Sequence, residues 1–304
     1  MLSSRTLSPL SAYLLLIFCT ALWGSNAVVG RAVHADLPPV GLAFWRNAVA
    51  LVVLLVLARP PLLRQRFAVL REWRLLAIAG ALGISAFNAL FYGGVHTTTA
   101  INATMVMALS PVVIPVFALF LLGERVTPVQ VVGMAISLAG VLVVMCRGDL
   151  AVFLAFAFVP GDLLIVAAMV CWSLYAVLAK RRPAGMEPSL FLTAMLAFGV
   201  SALLPVYLLE SAVWMAYPFT LEAVLAPIYL GVFPTAFALI LFNRAVEVVG
   251  ANKTGPFNHV TPVFAALWSI LFLGEGLMPF HFGGAVLILA GVWCASWSRR
   301  RPTG

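Results

Sequence analysis

The sequence predicts an all-α polytopic membrane protein, with ten transmembrane helices built as an inverted repeat of two five-helix units, 1–149 and 150–304. Three observations carry that prediction. Only 9% of the 304 residues are charged and 63% are hydrophobic, against about 25% and 45–50% in soluble globular chains. Apolar windows of roughly 20 residues, the length that crosses a bilayer, recur from end to end. Two stretches of the chain also match each other at a fixed offset of 151 residues.

A mean hydropathy of +1.10 excludes soluble, disordered and fibrous classes, because too little polar surface exists to cover such a chain. A transmembrane barrel would alternate over ~10-residue strands, whereas these runs are long and continuous. Bounded by charge, Pro or Gly, the spans fall at 10–31, 41–58, 74–94, 98–122, 127–146, 161–180, 188–208, 222–243, 252–273 and 279–298.

Span 1 follows Arg5, and Val33-His34-Ala35 gives it the look of a signal peptide with a cleavage site. The run is long for such a segment, and the repeat requires it as a helix. Span 2 opens on Phe44-Trp45-Arg46. The longest loop, about 59–73, precedes span 3; it is basic and is expected along the anionic inner leaflet. Span 4 contains Pro111 and Pro115, and span 9 contains Pro262. Spans 7 and 8 have less clean ends near Pro205, Pro218 and Pro227, and Pro234 breaks span 8. Spans 5 and 10 carry paired glycines, Gly133 with Gly140 and Gly284 with Gly291, on one helix face each. Such faces let helices approach closely, so both spans are read as scaffold.

Charge tests the span count. With the N-terminus in the cytoplasm, 15 of the 18 Lys and Arg residues fall in cytoplasmic segments. Only Arg31 and Arg147 lie outside, and Arg46 lies within a span. The bias supports ten spans with both termini inside, in the inner (plasma) membrane. Asp36, Asp149, Asp162, Glu210, Glu222 and Glu275 fall to the outer side. The net charge of +8 therefore marks membrane orientation and not nucleic-acid binding. Cys19, Cys146, Cys171 and Cys294 form no CxxC pair and read as small apolar residues. No metal or cofactor is expected.

Leu109-Ser110-Pro111-Val112 answers Val260-Thr261-Pro262-Val263, and Leu122-Gly123-Glu124 answers Leu273-Gly274-Glu275. Pro128 answers Pro279, Gly133 answers Gly284, and Leu138-Ala139-Gly140-Val141 answers Leu289-Ala290-Gly291-Val292. Trp23-Gly24-Ser25 and Trp172-Ser173-Leu174 match more weakly, 149 residues apart. Five spans separate each pair, so the second half enters the membrane from the opposite side. This is the design of secondary transporters that work by alternating access.

Each marked residue has a bland reading and a functional one. Pro111 and Pro262 remove a ladder bond and free the carbonyls of Met107 and Asn258, as fixed kinks or as hinges. Gly123 and Gly274 suit left-handed helix caps, and the glutamates after them read as structural. No Asp or Glu lies mid-span, which argues against proton-for-cation exchange through a membrane carboxylate. The intramembrane polar groups are mostly neutral, and the candidate cargo contacts are Trp23, Ser25, Asn26, Asn88, Tyr92, Asn102, Trp172, Tyr175, Phe237, Asn258 and His259. His259, beside Asn258 and Pro262, could be a packing residue, a hydrogen-bond donor or a proton-linked switch. Arg46 is near the outer end of span 2 and could snorkel to the interface or contact the cargo. Aromatic rings among neutral polar groups suit a zwitterionic or amphipathic small molecule.

Trp23-Gly24-Ser25-Asn26, Phe44-Trp45-Arg46, the Ser110-Pro111 and Thr261-Pro262 pairs, and the two Gly-Glu turns before Gly-rich spans resemble the drug/metabolite transporter superfamily, with two EamA domains. The resemblance covers essentially the whole chain. It implies export, with amino acids, aromatic ones among them, as the commonest cargo. It also implies a cavity lined by spans 1–4 and 6–9, with 5 and 10 outside. Span 7 lacks a match for Arg46, so a substrate contact of that residue does not follow from symmetry. The alternatives are export of another metabolite, such as a nucleoside or sugar derivative, or of an amphipathic drug. A membrane enzyme would need HExxH, paired intramembrane carboxylates or a Ser/His dyad, and a channel would need repeated polar stripes; none is present. The expected partners are a small-molecule cargo and the bilayer, with the protein a monomer or weak homodimer.

Overall fold

The computed structural model describes residues 8–57, 59–124, 126–155, 158–249, 257 and 260–297, and among them every regular element is helical. In chain order these are α1 (Pro9–Ala32), α2 (Pro39–Leu57), α3 (Arg59–Arg71) and α4 (Trp73–Gly80). A π-helical segment (Ala81–Ala86) joins α4 to α5 (Phe87–Val95). Next come α6 (Ala100–Met107), α7 (Ser110–Leu122), α8 (Pro128–Met145), α9 (Leu150–Leu154), α10 (Pro160–Ala179) and α11 (Pro188–Val213). A second π-helical segment (Gly231–Phe237) joins α12 (Leu221–Leu230) to α13 (Ala238–Val249). α14 (Thr261–Leu273) and α15 (Pro279–Trp297) complete the described chain.

The helix starts follow from local chemistry. Ser8, Thr99, Thr127 and Thr220 each accept a backbone N–H from the first turn they precede. Thr127 and Gln130 form a reciprocal capping box. α1, α8, α10 and α11 open on proline, whose missing N–H is an orphan there anyway. Gly123 and Gly274 close α7 and α14 at φ +70° and +67°, the left-handed caps expected of them.

Seven helical stretches are long and apolar enough to cross a membrane. They become eight if α6 and α7, bent by 42°, count as one broken span. α14 and α15 are shorter apolar helices over the described residues. The expectation of ten full spans is thus met for seven or eight. Residues 59–73, expected as a loop, are largely helical. Good helix formers follow the Pro60-Pro61 start, and the helix is interrupted only at Gln65. Span 7 runs on to Val213, which puts Glu210 inside a helix and not in a loop.

The halves interlock. α1 packs on α13 and α14; α10 packs on α5 and α7; α2 packs on α11; α8 packs on α15. Each of these pairings joins one half to the other. The α8–α15 contact shows how they are related. A Cβ on Gly140 would meet the Gly284 carbonyl oxygen at 2.8 Å. Shifting that pair by the 151-residue offset gives Gly291 and Gly133, and a Cβ on Gly291 would collide with the Gly133 carbonyl. Ser137 Oγ donates to the carbonyl of Ile288, its own repeat partner, at 3.0 Å. Contacts that map onto themselves in this way are the signature of a two-fold axis through the interface. Large apolar side chains such as Phe120, Leu150, Val213 and Phe272 cover the outside, as a lipid-facing surface requires.

Candidate functional site

The two π-helical segments occupy corresponding places in the halves, and π-bulges recur at functional sites because they leave backbone carbonyls unpaired. Here two side chains take up those carbonyls. Asn88 Nδ2 donates to Ile84 O at 2.8 Å, and Thr235 Oγ donates to Leu230 O at 2.7 Å. Both side chains also accept from Arg46. Arg46 Nη1 lies 3.0 Å from Asn88 Oδ1, 2.9 Å from Asn26 Oδ1 and 2.6 Å from the Tyr92 hydroxyl, while Nη2 donates to Thr235 Oγ. Tyr92 in turn donates to Asn26 Oδ1 at 2.7 Å. One guanidinium therefore ties α1, α2, α5 and the second π segment together.

Of the two readings open for Arg46, snorkelling is the one the structure removes: the residue is only 6% exposed. Its partners are all neutral, and among the described residues its Nε has no acceptor at all. A buried donor left unsatisfied costs about 1–3 kcal/mol. A buried cation without a carboxylate costs more in desolvation and is held only by good geometry. The signal in the sequence is an Arg inside a span with no repeat counterpart.

Around this centre the expected residues divide. Asn26, Asn88 and Tyr92 are part of it. Ser25 Oγ lies 2.8 Å from the Tyr229 hydroxyl in α12, and Trp23 Nε1 donates to Pro234 O in the second π segment at 3.1 Å. Trp172 and Tyr175 lie one shell away. Their rings are 5.1 Å apart, and Trp172 continues through Phe87 at 5.1 Å to Phe91 and on to Tyr92. An aromatic row thus leads from α10 to the guanidinium.

Other expected residues are elsewhere. Phe237 is 41% exposed and packs on Phe18 and Phe233, away from Arg46. Asn102 pairs through Oδ1 with His281 Nε2 at 3.1 Å, in a separate cluster at the start of α6. Pro111 and Pro262 stand in the first turns of α7 and α14. Asn258 and His259 lie outside the described residues.

The carboxylates find partners that the sequence did not show. Asp162 is fully buried in the first turn of α10 and accepts from the Thr98 hydroxyl. Glu210 accepts from Val40 N at 2.9 Å and Gly41 N at 2.6 Å, at the start of α2. Glu275 accepts from Ala100 N at 3.1 Å and Ile101 N at 3.3 Å, at the start of α6. Both neutralise the positive end of a helix and its orphan N–H groups. Sequence reasoning missed these partners because helix capping by a distant residue leaves no local signature. Among the described residues, no group of three or more His, Cys, Asp or Glu side chains could hold a metal ion.

Comparison with known proteins gives the family. The chain is 27% identical over 293 residues to the uncharacterized transporter YyaM of Bacillus subtilis, covering 96% of each. It is 30% identical to a probable terminal-alkyne amino-acid exporter of Streptantibioticus cattleyicolor, over 83% of this chain and 82% of that one. It is also 30% identical to the aromatic amino acid exporter YddG of Ancylobacter novellus, over 66% and 68%. A solved crystal structure matches with a TM-score of 0.62 at 23% identity, over 98% of this chain and 100% of the other, a likeness of fold. The EamA-like transporter family matches residues 10–146 and again 159–297, and the chain therefore belongs to that family as a transporter with two EamA repeats.

Proposed function

We propose that this transporter exports small metabolites, neutral or aromatic amino acids first among them, by alternating access through the centre of the bundle. The observation that carries the reading is the Arg46 centre: a buried guanidinium gripped by neutral side chains from both halves, between two repeat-related π segments. Buried charge inside a membrane bundle is costly and is a functional-site hypothesis by default. Asn26, Asn88 and Tyr92 contact the cargo together with Arg46, and the row of Phe87, Phe91, Trp172 and Tyr175 receives an apolar or aromatic side chain. Trp23 holds the second π segment in place, and Ser25 holds the end of α12 that leads into it. The interlocked halves exchange conformations about the axis through α8 and α15, which stay as scaffold. The protein sits in the inner (plasma) membrane with both termini in the cytoplasm, as a monomer or weak homodimer.

Purified protein in liposomes tests the reading. Labelled phenylalanine is offered, and unlabelled amino acids compete for its uptake. Saturable uptake with competition by neutral amino acids is the expected result. Uptake of a nucleoside or sugar derivative with no uptake of any amino acid would sink it. A pH gradient across the same vesicles tests coupling, and passage independent of the gradient is expected.

A further inference from the structure

We propose that Arg46 is a carboxylate-reading centre, which recognises the acid group of the cargo and leaves its amine unread. The proposal rests on the transport reading above and narrows the substrate class to small monocarboxylates carrying an apolar or aromatic tail.

Arginine has five N–H donors in a fixed planar fork. The two on Nη1 are shared among Asn26, Asn88 and Tyr92. Nη2 has Thr235 as its acceptor, and among the described residues Nε has none. Nε and Nη2 form one edge of the fork. Two parallel N–H groups on such an edge match the two oxygens of a carboxylate, and the charge-assisted pair is the strongest that neutral surroundings allow. The ion pairs among the described residues belong to Arg64, Arg71 and Lys180, none of them near Arg46. The guanidinium thus keeps an uncompensated charge in a low-dielectric interior, where attraction for an anion is magnified.

Repeat symmetry separates this residue from the scaffold. Scaffold contacts such as Gly140 with Gly284 recur in the other half. The positions 149 and 151 residues after Arg46 are Met195 and Ala197, so the charge has no counterpart. A cargo is bound once, and a single unrepeated charge suits it.

The amine has no such reader. Among the described residues no carboxylate is a partner of Arg46: Glu210 gives both oxygens to the start of α2, and Asp162, at the start of α10, accepts from Thr98 through one oxygen and has no partner for the other. The partners of Arg46 are two amides and two hydroxyls, which can accept from an ammonium group but give it no charge. Loss of the amine therefore costs little, and loss of the acid removes the main attraction. The aromatic row through Phe91, Phe87 and Trp172 begins at Tyr92, a partner of the same guanidinium, and supplies apolar surface for the tail of such an acid.

The test uses the full chain in liposomes with labelled phenylalanine. Unlabelled phenylalanine, 3-phenylpropanoate, phenethylamine and phenylalaninamide compete for uptake. We expect 3-phenylpropanoate to compete within a few-fold of phenylalanine. The two compounds without a carboxylate should be weaker by about tenfold or more. Equal competition by phenethylamine overturns the proposal and leaves amino-acid transport standing. If phenylalanine is not taken up at all, the amino-acid reading fails, and thermal shift of the purified protein by 3-phenylpropanoate against phenethylamine decides the carboxylate centre separately. Arg46→Lys keeps a charge and loses the fork. In protein that elutes as the parent does, it should weaken acid binding and so narrow the gap between the acid and the amine competitors. An unchanged preference for the acid in Arg46→Lys also overturns the proposal.

Discussion

Lys180 Nζ stands 2.8 Å and 3.0 Å from the two carboxylate oxygens of Glu124, tying the end of α10 to the turn after α7. Arg31 and Glu275 hold the corresponding places in the other halves, 149 residues before Lys180 and 151 after Glu124. They do not pair with each other. Arg31 Nη1 donates to Val95 O at 2.9 Å and His96 O at 2.7 Å, and Glu275 accepts from Ala100 N and Ile101 N. The α5–α6 turn lies between them. One end of the bundle thus has a direct ion pair, and the other has its repeat counterparts, an Arg and a Glu, spread across a turn.

If the halves exchange conformations, a second state exists in which Arg31 meets Glu275 and Lys180 leaves Glu124. Lys180 and Glu124 are half-exposed, and such pairs are worth at most about 1 kcal/mol, weak enough to open in each cycle. Cysteines at 124 and 180, in a chain whose own four cysteines are replaced, check this. A cross-link there should stop transport, and reduction should restore it. Transport that continues through the cross-link would show that this end does not open.

The glycine interface makes a sharper stability prediction. Gly291→Ala drives a methyl group into the Gly133 carbonyl and Ser137, whereas a methyl on Gly283 meets nothing within 4 Å. Overpacking a close backbone contact costs about 1–3 kcal/mol. Thermal unfolding in detergent should show a clear drop for Gly291→Ala and none for Gly283→Ala. Equal melting of the two would remove α8 and α15 as the packed axis.

Much of this was legible in the sequence, for reasons that differ by residue. Gly133, Gly140, Gly284 and Gly291 were readable because helix packing at close range demands small side chains at fixed spacing. Gly123 and Gly274 were readable because a left-handed cap is a one-residue requirement. Asn26, Asn88 and Tyr92 stood out as polar groups in apolar runs. What joins them was hidden. Arg46 could equally have snorkelled, and only the tertiary arrangement sets Thr235 and Asn88 against it. The π segments leave no composition signal beyond Pro234, and Asp162 and Glu210 gained their partners from helices far away in the chain.

Glu275 offers a test of distant capping. Its carboxylate receives two N–H groups at the start of α6, where the helix dipole favours negative charge. Glu275→Gln keeps the size and removes the charge. Stability should fall by about 0.3–1 kcal/mol, and the salt dependence of melting should weaken with it. Glu222→Gln, on a first-turn acid that makes no such long-range contact among the described residues, is the matched control. A larger loss in the control than in Glu275→Gln would contradict the capping role.

His96 gives a prediction in pH. It lies just past α5, with its ring 5.8 Å from that of His34 and its carbonyl held by Arg31. Burial first, and the neighbouring His34 and Arg31 second, lower its pKa from 6.5 to about 4. The folded protein therefore resists a proton that the unfolded chain accepts readily. By linkage, stability from this group is fully present above about pH 6.5 and is lost progressively as pH falls towards 4. The loss should be felt first at the turn after α5, because a charged His96 would repel Arg31 and loosen its grip on the Val95 and His96 carbonyls. Melting temperature measured from pH 7.5 to 4.5 should fall across this window, and His96→Gln, which cannot take the charge, should flatten that part of the curve. A wild-type slope that survives in His96→Gln would assign the titration to another group.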